Sequence, residues 1–197
     1  RLLSLAAQFA NAREEWESEA TLWRQALEAT PVFDQDQCRI LSRLLSLYRG
    51  LLNDRYQAPG VAQQLLETPG VSFEQARDAY QYLASDWSRQ NLLSYIRQPR
   101  RAHPEAGVMA WLDTLSGTDK PPAIGWLQHN HSILAGASPA IWQEVEQRMR
   151  PDVGEIPSML LLIADRLCAD PARESAVARL LLEAWSKGEN LSGAQLG

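Results

Sequence analysis

Residues 14–31, EEWESEATLWRQALEATP, decide the fold class. Trp16, Ala20, Trp23 and Leu27 recur at spacings of four, three and four, which gathers them on one face of a helix with polar side chains between. Pro31 cannot continue that helix, because its ring lacks an N–H and clashes with the preceding turn. The segment therefore predicts an amphipathic helix from Glu14 to Ala29.

The same period extends in both directions, and alternation of period two is absent throughout. Upstream, Leu2 to Ala12 reads as a helix. Downstream, Asp34 or Asp36 is placed to cap a longer one carrying Ile40, Leu44, Leu47 and Leu51, with Leu45, Tyr48 and Leu52 beside them. Pro59-Gly60 and Pro69-Gly70 bracket a short helix from Val61 to Leu66. Ser72-Phe73-Glu74-Gln75 has the capping-box form, in which serine accepts the amide three residues on and Gln75 reaches back to the serine amide. Asp86-Trp87-Ser88 marks another boundary, and Leu92, Leu93 and Ile96 form the next stripe, ended by Pro99.

Prolines then punctuate the chain, giving helices at Pro104–Leu115, Pro122–Leu134, Pro139–Met149, Pro157–Ala169 and Pro171–Lys187. Ser138-Pro139 and Asp170-Pro171 each pair a capping side chain with a proline at the first helical position. Gly188 ends the last helix, and residues 190–197 read as a flexible tail. The expectation is an all-α chain of about ten helices, a single domain over 1–189 built as antiparallel hairpins, either an α-solenoid or a compact multi-helix bundle.

Composition narrows the function classes. The 197 residues contain two cysteines, so no disulfide framework is implied, and a chain of this length buries roughly 70% of its unfolded surface without one. Met159 to Ala164 is among the longest apolar runs, far short of the roughly 18 residues of a membrane span. With a net charge of −5 and a pI near 5.3 the chain lacks a global positive field for nucleic acid. Only Lys120 and Lys187 among the 19 basic residues are lysines, and Arg97, Arg100, Arg101 and His103 form one local basic cluster. The chain opens on Arg1 rather than Met, which reads as a piece of a longer protein.

Residues 1–31 resemble a tetratricopeptide repeat. With Pro31 on the repeat's terminal proline, Ala26-Leu27 take its penultimate alanine and leucine, and Trp23 its bulky aromatic. Trp16 takes the aromatic opening the second helix, and Ala7 the small residue where the two helices cross. Glu19 stands where a small residue is expected, and Ala10 where the pattern prefers tyrosine. No second copy aligns beyond Pro31, although Phe73 to Leu83 and the segments bearing Trp111, Trp126, Trp142 and Trp185 have a similar texture. The resemblance implies that the first helix of each hairpin lines a concave groove, so that Ser4, Gln8 and Asn11 face a ligand. It also implies an assembly-platform role of the kind such arrays serve in bacterial envelope and secretion systems.

No motif announces catalysis. His129 and His131 diverge by about 200° on a helix and have no ligand-type side chain one turn away, so neither zinc nor another cofactor is expected. Cys38 and Cys168 read as buried thiols. Gly136-Ala137-Ser138-Pro139-Ala140 lacks the second glycine and the preceding strand of a nucleophile elbow, which leaves Ser138 as an N-cap. The expected function is therefore a non-enzymatic scaffold or adaptor, a fragment of a larger bacterial protein, that binds a protein or peptide through Ser4, Gln8 and Asn11. The alternative is a regulatory or accessory domain of a larger enzyme or nucleic-acid machine, using Arg97, Arg100 and Arg101 as its contact.

Overall fold

The computed structural model describes residues 2–31, 35–98, 101–115, 120–150 and 152–187. Among them are eleven α-helices and no strand, as the apolar period requires. They are α1 (Leu2–Ala12), α2 (Trp16–Glu28), α3 (Gln35–Ser46), α4 (Ala58–Glu67), α5 (Phe73–Asp86) and α6 (Arg89–Ile96). There follow α7 (Pro104–Asp113), α8 (Lys120–Asn130), α9 (Pro139–Met149), α10 (Pro157–Leu167) and α11 (Glu174–Ser186). The chain forms two compact units, residues 1–111 and 112–197.

The helix boundaries follow from capping chemistry. Ser72 accepts from the Gln75 amide at 3.2 Å while Gln75 Oε1 accepts from the Ser72 amide at 3.0 Å, so the capping box is complete. Ser88 accepts from the Asn91 amide, and Asp170 from the Ala172 amide, which opens a short 3-10 turn ahead of α11. Ser138 differs from expectation: it occupies the N-cap position with extended backbone, yet its hydroxyl makes no capping bond. Pro139 begins that helix by its fixed φ alone. Pro59-Gly60 also behaves differently. The pair lies in the first turn of α4 rather than before it, because proline is compatible with a first turn whose amides lack partners anyway. Gly70, at φ +82°, does make the turn its sequence announces. Asp34, Pro99, Arg100, Gly188 and the tail at 190–197 lie outside the described residues.

In the first unit, α1 packs on α2, α2 on α3, α3 on α4 and α4 on α5. Ala7 of α1 and Ala20 and Trp23 of α2 are buried, and Ile40, Leu41, Leu44, Leu65, Leu66, Tyr80 and Leu83 fill the centre, each almost wholly buried. A fully buried leucine of this kind contributes about 1.5–3 kcal/mol. Polar links then tie alternate helices. Arg43 of α3 donates to Asn11 of α1, and Arg24 of α2 to Gln57 ahead of α4. The Cys38 thiol of α3 donates to the Pro69 carbonyl, and the Tyr95 hydroxyl of α6 to the Gln63 carbonyl of α4. Those four links stand 32, 33, 31 and 32 residues apart, and Tyr80 of α5 donates to the Ala102 carbonyl ahead of α7 at a separation of 22.

α7 comes so close that Gly107 has no room for a side chain. A Cβ there would lie 2.7 Å from Ile96 Cγ1 and 2.9 Å from the Tyr80 ring. Alanine gains about 1 kcal/mol of helix propensity over glycine, but overpacking costs about 1–3 kcal/mol and both neighbours are buried. Gly107→Ala is therefore expected to lower the denaturant midpoint. A midpoint equal to or above the parent's would contradict the close approach.

In the second unit, α10 packs against both α9 and α11 over Trp142, Val145, Met159, Leu160, Ile163 and Leu180. Buried Glu146 receives Arg150 at 2.6 Å and Arg179 at 3.0 Å. The separations seen in the first unit recur: Arg179 stands 33 residues from Glu146, Arg148 35 from Asp113, and Gln128 30 from Ser158.

Candidate functional site

The stripe Ser42, Ser46 and Arg49 runs along α3 and into the turn that follows it at spacings of four and three, and Asp78, Tyr82 and Asp86 run along α5 at spacings of four. The two stripes face each other. A depression of about 370 Å³ lies between Ser42, Ser46 and Arg49 on one side and Gln75 and Asp78 on the other, with Leu45 and Leu65 also against it. A second, of about 330 Å³, lies between Tyr48, Arg49, Asn53 and Arg55 on one side and Tyr82, Ser85 and Asp86 on the other. Arg49 borders both. Because early residues of α3 oppose early residues of α5, and late oppose late, the helices run in the same direction and the depressions form one groove along them.

Local backbone sets the Arg49 wall. After Ser46 the helix widens into a π-turn over Leu47–Leu51, closed by the Leu52 amide donating to the Leu47 carbonyl at 2.9 Å. Tyr48 is buried there beneath the Arg24 guanidinium, 5.2 Å from its ring centroid, while Arg49 is exposed towards the groove. Asn53 then takes a left-handed conformation at φ 48°, which asparagine tolerates better than most residues. The Asp54 carboxylate accepts the amides of Tyr56 and Gln57, fixing the loop that carries Arg55.

Charge along the groove is divided between its walls. Arg49 and Arg55 belong to the α3 side, Asp78 and Asp86 to the α5 side, and all four are exposed. Among the described residues none of their side chains makes an ion pair or hydrogen bond. Between them sits Tyr82, 8% exposed. Burial pushes its phenol above the ordinary value and Asp86 pushes the same way, while Arg55 pulls it down.

The residues expected to face a ligand fall elsewhere on the first unit. Ser4 is half-buried, and Gln8 and Asn11 are exposed on α1, where the Asn11 side-chain oxygen accepts from Arg43 Nη2 at 2.8 Å. Asn11 is thus joined to the network around Glu19. Arg97 is exposed, Arg100 lies outside the described residues, and the Arg101 side chain is only 15% exposed. Arg101 pairs with Glu67 and lies over the Tyr95 ring, 4.2 Å from its centroid. His103, half-buried, lies 3.1 Å from the Val71 carbonyl and 3.1 Å from Glu105. His129 and His131 each sit against a backbone carbonyl of their own segment, those of Gly125 and Gln128. Cys38 is buried, and burial pushes its thiol up. Cys168 is exposed, contrary to expectation, because it follows Leu167 at the end of α10 and leaves the stripe formed by Leu160, Ile163, Ala164 and Leu167.

Tyr95 gives this region a pH signature. Burial pushes its phenol up to about 12, with Arg101 pulling down and Glu67 pushing up, and buried Tyr80 is raised further still. The unfolded chain releases these protons near pH 10, so between about 10 and 12 the unfolded state binds fewer protons than the folded one. Stability is then complete below about pH 10 and falls as pH rises through 12. Melting temperature and tyrosinate absorbance, followed together, should show this loss. Tyrosinate appearing at the ordinary pH without any fall in melting temperature would contradict it.

Compared with protein-family models, curated proteins and solved structures, the chain matches none of them.

Proposed function

We propose that the chain is a non-catalytic binding module of tetratricopeptide-like helical hairpins that holds an extended protein segment in the groove between α3 and α5. The observation that carries this reading is the spacing of the polar links. Several pairs of alternate helices in both units are joined at separations of 30 to 35 residues, close to the 34 residues of a tetratricopeptide repeat, while Tyr80 of α5 reaches the Ala102 carbonyl ahead of α7 at a separation of 22. Stacking of that period sets equivalent helices side by side and leaves a long shallow channel between them, as repeat arrays do. The groove's chemistry agrees. Ser, Asn, Gln, Arg, Asp and Tyr line it, residues suited to main-chain and side-chain hydrogen bonds, and neither histidine nor cysteine does.

Selection from a random peptide library displayed between fixed flanks tests the reading. Ser46 is exposed in the groove, so Ser46→Trp fills the channel at little cost to folding. A pool that binds the parent protein and is lost from Ser46→Trp at unchanged melting temperature is expected. A pool that binds both equally, or failure to select any pool, would overturn the proposal.

A further inference from the structure

We infer that the α3–α5 groove selects an extended segment of alternating charge, with basic side chains four residues apart on one side and acidic side chains at the odd positions between them. The inference rests on the reading of the groove as a peptide site and adds what kind of segment enters it. Its basis is the segregation of unpaired charge: Arg49 and Arg55 on one wall, Asp78 and Asp86 on the other.

Four exposed ions bordering one channel, two of each sign, ordinarily neutralise each other when they are in reach. Here they do not pair, and the ionic groups that do pair nearby are used elsewhere. Arg24 lies over Tyr48, and Asp54 is occupied by two backbone amides. Tyr82, between Asp78 and Asp86 on α5, is buried and makes no hydrogen bond with its hydroxyl among the described residues. The channel therefore offers two cations, two anions and one phenol to whatever lies in it.

The geometry of an extended chain converts this into a pattern. Successive side chains of an extended segment point to opposite sides, so one set faces α3 and the other α5. Asp78 and Asp86 are eight residues apart on one helix, about 12 Å along its axis at 1.5 Å per residue. An extended segment rises about 3.3 Å per residue, so about four of its residues cover that distance. Two basic side chains at i and i+4 thus reach Asp78 and Asp86 from the same side. Acidic side chains at i+1 or i+3 point the other way, towards Arg49 and Arg55. A segment of the same composition with its like charges placed side by side sets at least two of them against the wrong wall. Like-charge juxtaposition of this sort is the repulsive half of specificity.

The test reads the selected pool. In peptides that bind the parent protein and are lost from Ser46→Trp, basic residues four apart with an acidic residue at an odd position between them should be enriched. A blocked peptide with the core Lys-Glu-Thr-Glu-Lys, set in the flanks of the selected pool, should bind about tenfold more tightly than one with the core Lys-Lys-Thr-Glu-Glu. Exchanging the walls by Arg49→Glu, Arg55→Glu, Asp78→Lys and Asp86→Lys should invert the preference, favouring Glu-Lys-Thr-Lys-Glu. Because all four positions are exposed, the exchanged protein is expected to melt with the parent, and circular dichroism checks that. Groove binders with no charge pattern, equal binding of the two cores, or a preference that survives the exchange would overturn the inference while leaving the peptide site in place. Failure to select any groove binder would overturn the site itself.

Discussion

Replacing Arg43 by alanine is expected to destabilise the first unit by about 3 kcal/mol, since removing one partner of a buried ion pair leaves an uncompensated charge. The exposed charge is the one removed. Arg43 is 33% exposed in its side chain and Glu19 only 1%, so the carboxylate left behind has little access to water. Arg43 meets it with two bonds, Nε to Oε1 at 2.7 Å and Nη2 to Oε2 at 3.0 Å, and carries Asn11 of α1 on the same guanidinium. One side chain thereby ties α1, α2 and α3. Replacing the pair together, Arg43→Ala with Glu19→Leu, should restore part of the loss, because no buried charge then remains while the Trp23 indole N–H loses its acceptor. Chemical denaturation of the two variants decides it. A single variant within about 0.5 kcal/mol of the parent, as expected for an ordinary surface site, would show that Glu19 is not held in this way.

Trp23→Ala should cost as much or more, about 3–5 kcal/mol, the range for emptying a buried aromatic site. Trp23 is 4% exposed, and its indole N–H also donates to Glu19 Oε1 at 3.0 Å. Trp23→Phe keeps most of the volume and removes the donor, which separates packing from the hydrogen bond and should cost about 1–2 kcal/mol. Because Trp23 and Arg43 serve the same carboxylate, their effects should not add, and a double-mutant cycle should show coupling. Trp16, half-buried on the same helix, is expected to give a smaller loss. Equal losses at Trp16 and Trp23, measured by denaturant midpoint, would contradict the account of how α2 is seated.

The helices were legible because their information is local. The Ser72–Gln75 capping box, the Trp16-to-Leu27 stripe and the prolines at 104, 139 and 157 each act within a few residues, and each stands where its sequence places it. The π-turn at Leu47–Leu51 was not legible. Its apolar residues fit a period of 3.6, and the wider winding shows only in the backbone bond from Leu52 to Leu47. Glu19 reads in the sequence as a misfit against a repeat pattern, and Arg43 as one more charge on the next helix. Their pairing at a separation of 24 residues turns both into core.

The same limit hid the groove. Ser42 and Gln75 are 33 residues apart in sequence, and nothing near either of them announces the other. Arg101 reads in the sequence as one of four neighbouring basic residues, and its partners Glu67 and Tyr95, brought from two other helices, show only in the fold. A sign in the sequence existed only for the polar stripes, Ser42, Ser46 and Arg49 on one helix and Asp78, Tyr82 and Asp86 on another. Stripes of that kind also describe any solvated face.

If the proposed function holds, an extended segment lies between α3 and α5. Backbone amide chemical shifts of the intact chain, recorded as a selected peptide is titrated in, test it most directly. The largest changes are expected on Ser42, Ser46, Arg49, Asp78, Tyr82 and Ser85, with α1 and α11 staying near their starting positions. Changes centred instead on the exposed apolar residues Leu2 and Phe9 of α1, or on Leu182 and Trp185 of α11, with the groove amides still, would contradict it.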